Sequence, residues 1–302
     1  MMIIAAIIVI IIVIIVTAPE REYKKTNYCK LTHNTYQKVR SDLGLFGEYM
    51  CYKYLMDYEK VGARFLFNIY IPRDDTTTEI DVLMIHPTGL YVLESKNYSG
   101  WIFGTDTNTY WTQTLPQGNR SIKEKFLNPV IQNNSHIKYL KRLIGEGVPC
   151  NNIVVFSERC TFKNVTVNPN AEYKVIKRNF LRQTIAEMTN KAAVLAPNQI
   201  EDIFNTLYPY SQVTEEAKQA HIQNINQRIS QPPVQSPVPV PSATVKTDEA
   251  VTDTFSDEST DFFCPDCGAA IVLRTFQSGQ NAGKQMYCCI NSPKCGYIKD
   301  KN

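Results

Sequence analysis

Residues 79–96 read EIDVLMIHPTGLYVLESK. Glu79–Ile85 and Leu90–Lys96 are dominated by β-branched, aliphatic and aromatic residues, and His86-Pro-Thr-Gly89 forms a four-residue turn between them, so the segment predicts a hairpin. Strands this apolar belong in the middle of a sheet covered on both faces. The hairpin also places its charges. With Ile85 opposite Leu90, Asp81 falls opposite Glu94, and directly opposed residues have Cβ atoms roughly 4.5–5.5 Å apart. Two carboxylates at that separation repel each other unless a cation sits between them. A hard divalent ion, Mg²⁺ or Mn²⁺, would turn the repulsion into a site. Lys96 lies two residues past Glu94 and projects from the same face. A one-residue slip of register would undo this arrangement. The residues alone leave a second reading open, in which Asp81 and Glu94 end buried strands and Lys96 pairs with one of them.

Outward from the hairpin, Arg64–Ile71 (RFLFNIYI) predicts another strand, and Ser41–Glu59 a helix with Leu45, Tyr49, Tyr52 and Leu55 on one side and Ser41 as its cap. Leu127–Leu143 predicts a helix carrying a basic face of Lys138, Lys141 and Arg142, which either meets a phosphate backbone or is simply solvated. A strand over Asn152–Phe156 and helices near Asn179–Thr189 and Asn198–Tyr208 complete and cover the sheet, and Thr214–Ser230 reads as a polar helix. Trp101, Tyr110 and Trp111, just after the second hairpin strand, either stack on bases or pack an insertion against the sheet. The order helix, three strands, helix, strand is that of an α/β fold.

Glu48, Asp81 and Glu94-Ser95-Lys96, in that order, resemble the restriction-endonuclease-like, PD-(D/E)xK superfamily, whose motif is an acid followed by acid-x-lysine. The likeness is closer to the nuclease-related domain, through Gly44-Leu-Phe-Gly47-Glu48, Glu79-Ile-Asp81-Val, Tyr91-Val-Leu-Glu94-Ser-Lys96-Asn and Asn128-Pro129-Val-Ile-Gln132, a motif core of residues 41–145 in a domain spanning 38–210. The resemblance implies a restriction-endonuclease-like core with a catalytic set of Glu48, Asp81, Glu94, Lys96 and Gln132. Asp81 and Glu94 would hold the metal, with Glu48 a further ligand directly or through water. Lys96 would position or activate the attacking water and stabilise charge as a phosphodiester is cleaved. Gln132 would lie at the site margin. Superfamily members often carry Gln-x-x-x-Tyr there, whereas Gln132 is followed by His136. Read alone, Glu48 is equally a solvated helix charge.

The chain has 302 residues with 43% hydrophobic and 20% charged, enough to bury a core, and its net charge of +3 is too small to argue for nucleic acid without particular sites. Met2–Ala18 contains no charged residue and Ile3–Val16 is solid Ile, Val and Ala, so residues 1–18 predict a membrane anchor near the short limit of about 17–25 residues. A cleaved signal peptide is the rival, but neither a basic n-region nor a small-x-small cleavage site is clear. Arg21, Lys24, Lys25 and Lys30 follow the span and nothing basic precedes it, which predicts a single pass of the cytoplasmic (inner) membrane with the N-terminus outside and the bulk in the cytoplasm.

Residues 228–261, beginning around QPPVQSPVPVP, are Pro-rich and then polar and acidic, and predict a disordered linker before a second small unit at 262–300. Of nine cysteines, Cys264, Cys267, Cys288, Cys289 and Cys295 crowd the last 40 residues, a pattern of a metal site in a reducing compartment rather than a disulfide scaffold. Cys29, Cys51, Cys150 and Cys160 are scattered, as small buried hydrophobes or partly exposed thiols are. Two tight cysteine turns, Cys264-Pro-Asp-Cys267-Gly and Cys289-Ile-Asn-Ser-Pro-Lys-Cys295-Gly, suit a tetrahedral Zn²⁺ site, which would supply much of so small a segment's stability. Only one of Cys288 and Cys289 serves as third ligand. Met286-Tyr-Cys-Cys289-Ile-Asn-Ser-Pro-Lys-Cys295, with Ile271-Val-Leu-Arg274, resembles the C-terminal zinc finger of type IA DNA topoisomerases over residues 264–299. That resemblance selects Cys289, and it implies single-stranded DNA or distorted duplex as ligand, contacted by Arg274, Phe276, Lys284 and Tyr287. The motif does not report the sugar, so RNA stays open. Together these readings predict a membrane-anchored, metal-dependent DNA nuclease, with a non-catalytic DNA-binding membrane tether as the alternative.

Overall fold

The computed structural model of the chain describes residues 17–118, 120–219, 221, 223, 259–263, 270–275, 285–289 and 298–300. The chain divides into two units, residues 1–221 and 222–302.

The first unit begins with four helices, α1 (residues 17–25), α2 (Asn27–Thr32), α3 (Tyr36–Ser41) and α4 (Leu43–Leu55). Three antiparallel strands follow, β1 (Arg64–Arg73), β2 (Thr76–His86) and β3 (Gly89–Lys96). Then come β4 (Gly100–Thr105), β5 (Tyr110–Gln117) and β6 (Arg120–Leu127), helix α5 (Pro129–Ile144), strands β7 (Cys150–Phe156), β8 (Cys160–Thr166) and β9 (Tyr173–Lys177), and helices α6 (Leu181–Thr189) and α7 (Pro197–Ser211). The main sheet has the order β1-β2-β3-β7-β9, with β7 and β9 parallel to β3 and to each other. This is the mixed α/β fold expected.

The hairpin register is the predicted one: Ile85 faces Leu90, and the ladder runs to Val82 opposite Leu93. Both faces of the sheet are covered, which is why its strands are continuous apolar runs. On one face Phe65, Phe67, Val82, Leu93 and Val155 pack beneath Tyr28, Tyr52, Leu55, Leu181 and Ile185. On the other, Leu66, Leu83, Ile85 and Val92 meet Tyr139 and Leu140 of α5 and Ile200, Phe204 and Leu207 of α7.

Helix boundaries differ from expectation at the caps. Ser41 ends α3, and Asp42 caps α4, its Oδ1 accepting from the Leu45 N–H at 3.0 Å. Asp42 holds an extended backbone, and its charge suits the positive end of the helix. The helix stops at Leu55 and a 3₁₀ segment, Met56–Val61, carries the chain on, so the predicted Ser41–Glu59 helix is shortened at both ends. Asp42→Ala is expected to lower stability by about 1 kcal/mol. Ser41→Ala, whose hydroxyl only donates to the Lys38 carbonyl at the surface, is expected to stay within about 0.5 kcal/mol. Urea denaturation of the two variants separates the assignments. Helix α5 likewise starts at Pro129, capped by Asn128, while Leu127 ends β6.

A second sheet, ordered β6-β5-β4-β8, was not anticipated. Its inner face carries Ile102, Trp111 and Cys160 against Val154 and Phe156 of the main sheet. Trp111 is fully buried, its ring stacked on Phe156 with centroids 5.9 Å apart and planes at 7°. It lies directly on Gly104, where an added Cβ would come within 2.3 Å of the indole. Of the three aromatics after β3, Trp111 therefore packs the sheet, whereas Trp101 and Tyr110 are 40% and 52% exposed. Cys51 and Cys160 are buried and Cys29 and Cys150 half-buried, all as free thiols.

In the second unit, β10 (Ser259–Phe263), β11 (Ala270–Thr275), β12 (Gln285–Cys289) and β13 (Ile298–Asp300) form an antiparallel sheet in sequence order. Strand β10 starts inside the stretch read as linker, because Ser259 pairs with Val272; the rest of that stretch lies outside the described residues. Arg274 pairs with Met286, Tyr287 with Leu273 and Cys289 with Ile271. Cys264, Cys267, Cys295, Phe276 and Lys284 lie outside the described residues. So does the apolar segment at 1–18, apart from Thr17 and Ala18; among the described residues no helix is long and apolar enough to cross a membrane.

Candidate active site

Charged side chains from four elements converge where the hairpin ladder ends. Glu94 and Lys96 leave β3 on one face, as alternate residues of a strand must. Glu94 is 1% exposed, and its Oε1 accepts from Lys96 Nζ at 2.6 Å. Helix α5 lies across this face and presents Gln132 and His136, one turn apart. Gln132 Oε1 accepts from Lys96 Nζ at 3.2 Å, and His136 Nε2 lies 3.2 Å from Glu94 Oε2. The other ring nitrogen, Nδ1, lies 2.7 Å from the Thr78 hydroxyl. An ionised Glu94 can only accept, so Nε2 carries the proton shared between them.

Asp81, one step past the last rung of the hairpin, turns its Oδ2 to the Ser95 N–H at 2.7 Å. Glu48 reaches in from α4, and it is buried rather than solvated. Its Oε2 accepts from Asn68 Nδ2 at 2.8 Å and from the Tyr28 hydroxyl at 3.4 Å. Gly47 makes that approach possible, since a Cβ there would lie 2.8 Å from both Ser95 Oγ and Asn97 Cβ. Asn68 sits opposite Asp81 at φ 48°, in the left-handed region that Asn tolerates better than other side chains, and this turn of the backbone swings its amide towards Glu48. The same amide lies 3.4 Å from Glu79 Oε1.

Residues 43–157 match the family model described as the nuclease-related domain. An uncharacterized protein of Bacillus anthracis is 30% identical over 154 residues, which are 51% of this chain and 69% of that protein. The chain belongs to the nuclease-related domain family. No solved structure matches it.

Within the nuclease-related domain, of the five residues singled out from the sequence, Glu94, Lys96 and Gln132 are joined by direct hydrogen bonds and Asp81 is bonded to the Ser95 N–H between Glu94 and Lys96, whereas Glu48 bonds only to Asn68 and Tyr28 and reaches Asp81 electrostatically. Asp81 and Glu94 lie within electrostatic reach of Lys96, Glu79 and Glu94 within reach of His136, and Glu48 is crowded by Glu79, so four carboxyls compete for two basic side chains. Burial first, then the neighbouring Glu79 carboxylate, pushes Glu48 up to about 8 despite its Asn68 and Tyr28 hydrogen bonds. Burial, Glu94 and Glu48 push Asp81 well above the usual carboxylate range. Glu94 goes the other way: burial opposes its charge, but Lys96 and His136 outweigh burial and hold it below its ordinary value. Lys96 keeps its proton more firmly than a free lysine, because Glu94 overcomes the effect of burial.

Crowded hard oxygen donors that cannot all ionise together are the chemistry that a divalent cation satisfies. Among the described residues no three His, Cys, Asp or Glu side chains are already gathered as a ligand set. Lys96, His136, Asn68 and the Ser95 amide occupy the carboxylate oxygens instead. Two contributors, Asn68 and Glu79, had no role in the reading of the sequence, and a third, His136, had no partner in it. His136 was legible as the residue one turn beyond Gln132, but its partner was not. Asn68 is the one amide side chain of RFLFNIYI, and Glu79 sits two residues before Asp81 on the same strand face.

Proposed function

We propose that this nuclease-related domain hydrolyses phosphodiester bonds in DNA with Mg²⁺ or Mn²⁺, on a core of the restriction-endonuclease type. The observation that carries the reading is Glu94, buried and ionised between Lys96 and His136, beside Asp81 on the adjoining strand. Asp81 and Glu94 would hold the ion, with Glu48 behind them. When bound, the ion supplies Lewis-acid stabilisation of the phosphate and of the attacking oxygen. Lys96 presents a retained positive charge to the phosphoryl oxygens as negative charge builds on them, and Gln132 orients its ammonium.

The membrane-anchor reading rests on the charge-free apolar segment at 2–18 and the basic residues after it, and places the domain at the cytoplasmic face of the inner membrane. In the second unit, Cys264, Cys267, Cys289 and Cys295 would bind Zn²⁺. Arg274, Phe276, Lys284 and Tyr287 would then grip single-stranded or distorted DNA, with RNA as a further ligand to test. Zinc analysis of the purified chain before and after chelation checks the finger, with one ion per chain expected.

Detergent-solubilised full chain should cut labelled single- or double-stranded DNA in Mg²⁺ and stop in EDTA. Cutting that is indifferent to EDTA would sink the metal-dependent reading. Binding with no cutting in any divalent ion would make the protein a tether. His136 holds a carboxylate that would ligate the ion, so His136→Phe is expected to raise the Mg²⁺ concentration for half-maximal cutting by about 10- to 100-fold. A titration that superimposes on wild type would remove His136 from the site.

A further inference from the structure

The second sheet presents to solvent a face that its own folding does not require. Trp101 of β4 lies opposite Thr114 of β5, and Thr114 opposite Lys123 of β6. One step along, Phe103 lies opposite Thr112, and Thr112 opposite Lys125. Opposed residues share a face, so two rungs run aromatic, threonine, lysine across three strands, roughly 7 Å apart along the strand direction. Tyr110 continues the same face two residues from Thr112. Lys163, at the bulge in β8, holds its Nζ 5.0 Å from the Trp101 ring centroid.

Trp101, Tyr110, Lys123, Lys125 and Lys163 are all exposed. Beneath them Thr112 and Thr114 are buried, and the Thr114 hydroxyl has no hydrogen-bond partner among the described residues. The positions of this face on β4, β5 and β6 hold no acidic residue, Glu124 alternating to the other side, and Lys123 and Lys125 make contacts of their own while staying exposed. The hydrophobic need of the sheet is met by its inner face, with Ile102 and Trp111. Lysines alone would be ordinary protection of an exposed sheet. An exposed indole and phenol set among them call for a ligand with both flat rings and negative charge.

We propose that this face is a track for single-stranded nucleic acid, with bases stacking on Trp101 and Tyr110 and phosphates lying against Lys123, Lys125 and Lys163. Charge complementarity and sequence-tolerant aromatic surface are what such a strand requires. Only Asn97–Ser99 separates β3, which carries Glu94 and Lys96, from β4, and Gln113 Nε2 donates to the Ser99 carbonyl at 2.8 Å. Track and candidate active site are thus joined by a short, tethered segment. The purpose of the track rests on the nuclease reading; its chemistry does not.

The test uses full chain in detergent and EDTA, which prevents cutting, titrated with oligo(dT). Tryptophan emission and anisotropy of a labelled oligonucleotide are both followed. Stacking on Trp101 is expected to quench emission, and Trp101→Phe to abolish the quench, since Trp111 is buried. Lys123→Glu with Lys125→Glu is expected to weaken binding about 10-fold or more and to flatten its salt dependence. These are exposed positions, and an unchanged near-ultraviolet dichroism band from Trp111 shows that the variant is folded. Binding with no quench and unaltered by the lysine changes would assign it to the C-terminal unit and overturn the proposal. Equal competition by poly-glutamate would also overturn it, in favour of an acidic protein partner. A quench in EDTA from a chain that fails to cut DNA in Mg²⁺ would leave the track standing while the nuclease reading falls.

Discussion

Glu94→Gln is expected to lower Mg²⁺-dependent DNA cleavage by at least about 100-fold while leaving the fold intact. Gln keeps the shape of the side chain and one carbonyl oxygen for Lys96. It loses the charge that would draw the ion, and it points an amide N–H at one of two groups that are themselves donors, Lys96 Nζ and His136 Nε2. Losing the partner of a buried ion destabilises, by about 3–5 kcal/mol for a fully buried pair. Two features soften that here: Lys96 retains Gln132 and some solvent contact, and removing one carboxylate relieves Asp81 of its largest repulsion. Thermal melts followed by far-ultraviolet dichroism should show a cooperative transition in the variant. Wild-type cutting by a folded Glu94→Gln protein would remove Glu94 from the chemistry.

The second large effect lies in stability. Burial and Glu79 raise Glu48 from 4.5 to about 8 in the folded chain. A group whose folded value exceeds its unfolded value keeps its proton longer when folded. The folded state therefore binds more protons between roughly pH 4.5 and 8, and stability must fall as pH rises through that window. At about 1.36 kcal/mol per unit, the fall amounts to a few kcal/mol. Asp81, raised for the same reasons, adds to it, while Glu94, lowered, acts only below the window. Urea denaturation in EDTA should give a lower midpoint at pH 8 than at pH 5, and Glu48→Gln should flatten part of that slope. Mg²⁺ should recover more stability at pH 8 than at pH 5, because there it replaces protons between the carboxylates. A wild-type midpoint that is level across the window would refute the assignment of Glu48 to a crowded, buried site.

The hairpin and its charges were legible in the sequence because they depend on local rules. A four-residue turn sets the register, register places Asp81 and Glu94 at the end of the same ladder, and strand alternation puts Lys96 beside Glu94. The helices and their covering of both faces followed from periodicity and from apolar runs, with errors of one or two residues where Asp42 rather than Ser41, and Asn128 rather than Leu127, supplied the cap. The second sheet was hidden because β5 and β6 are mostly polar, with Trp111 and Phe126 as isolated anchors; what makes these segments strands is the burial of those rings against Phe156.

Sequence by itself thus determined the element order, the hairpin register and the acid, acid-x-lysine set, since each is a matter of residues at most a turn or a hairpin apart. Only the tertiary structure decided the state of those groups. Asn68 and Tyr28 hold Glu48, and Thr78 and His136 hold Glu94. These partners lie 20 to 58 residues apart in the chain and meet only because α4 and α5 pack on opposite faces of one sheet. Their proximity in water-poor surroundings, not their spacing along the chain, splits four similar carboxyls into one, Glu94, held below its ordinary range and three, Glu48, Glu79 and Asp81, pushed above it.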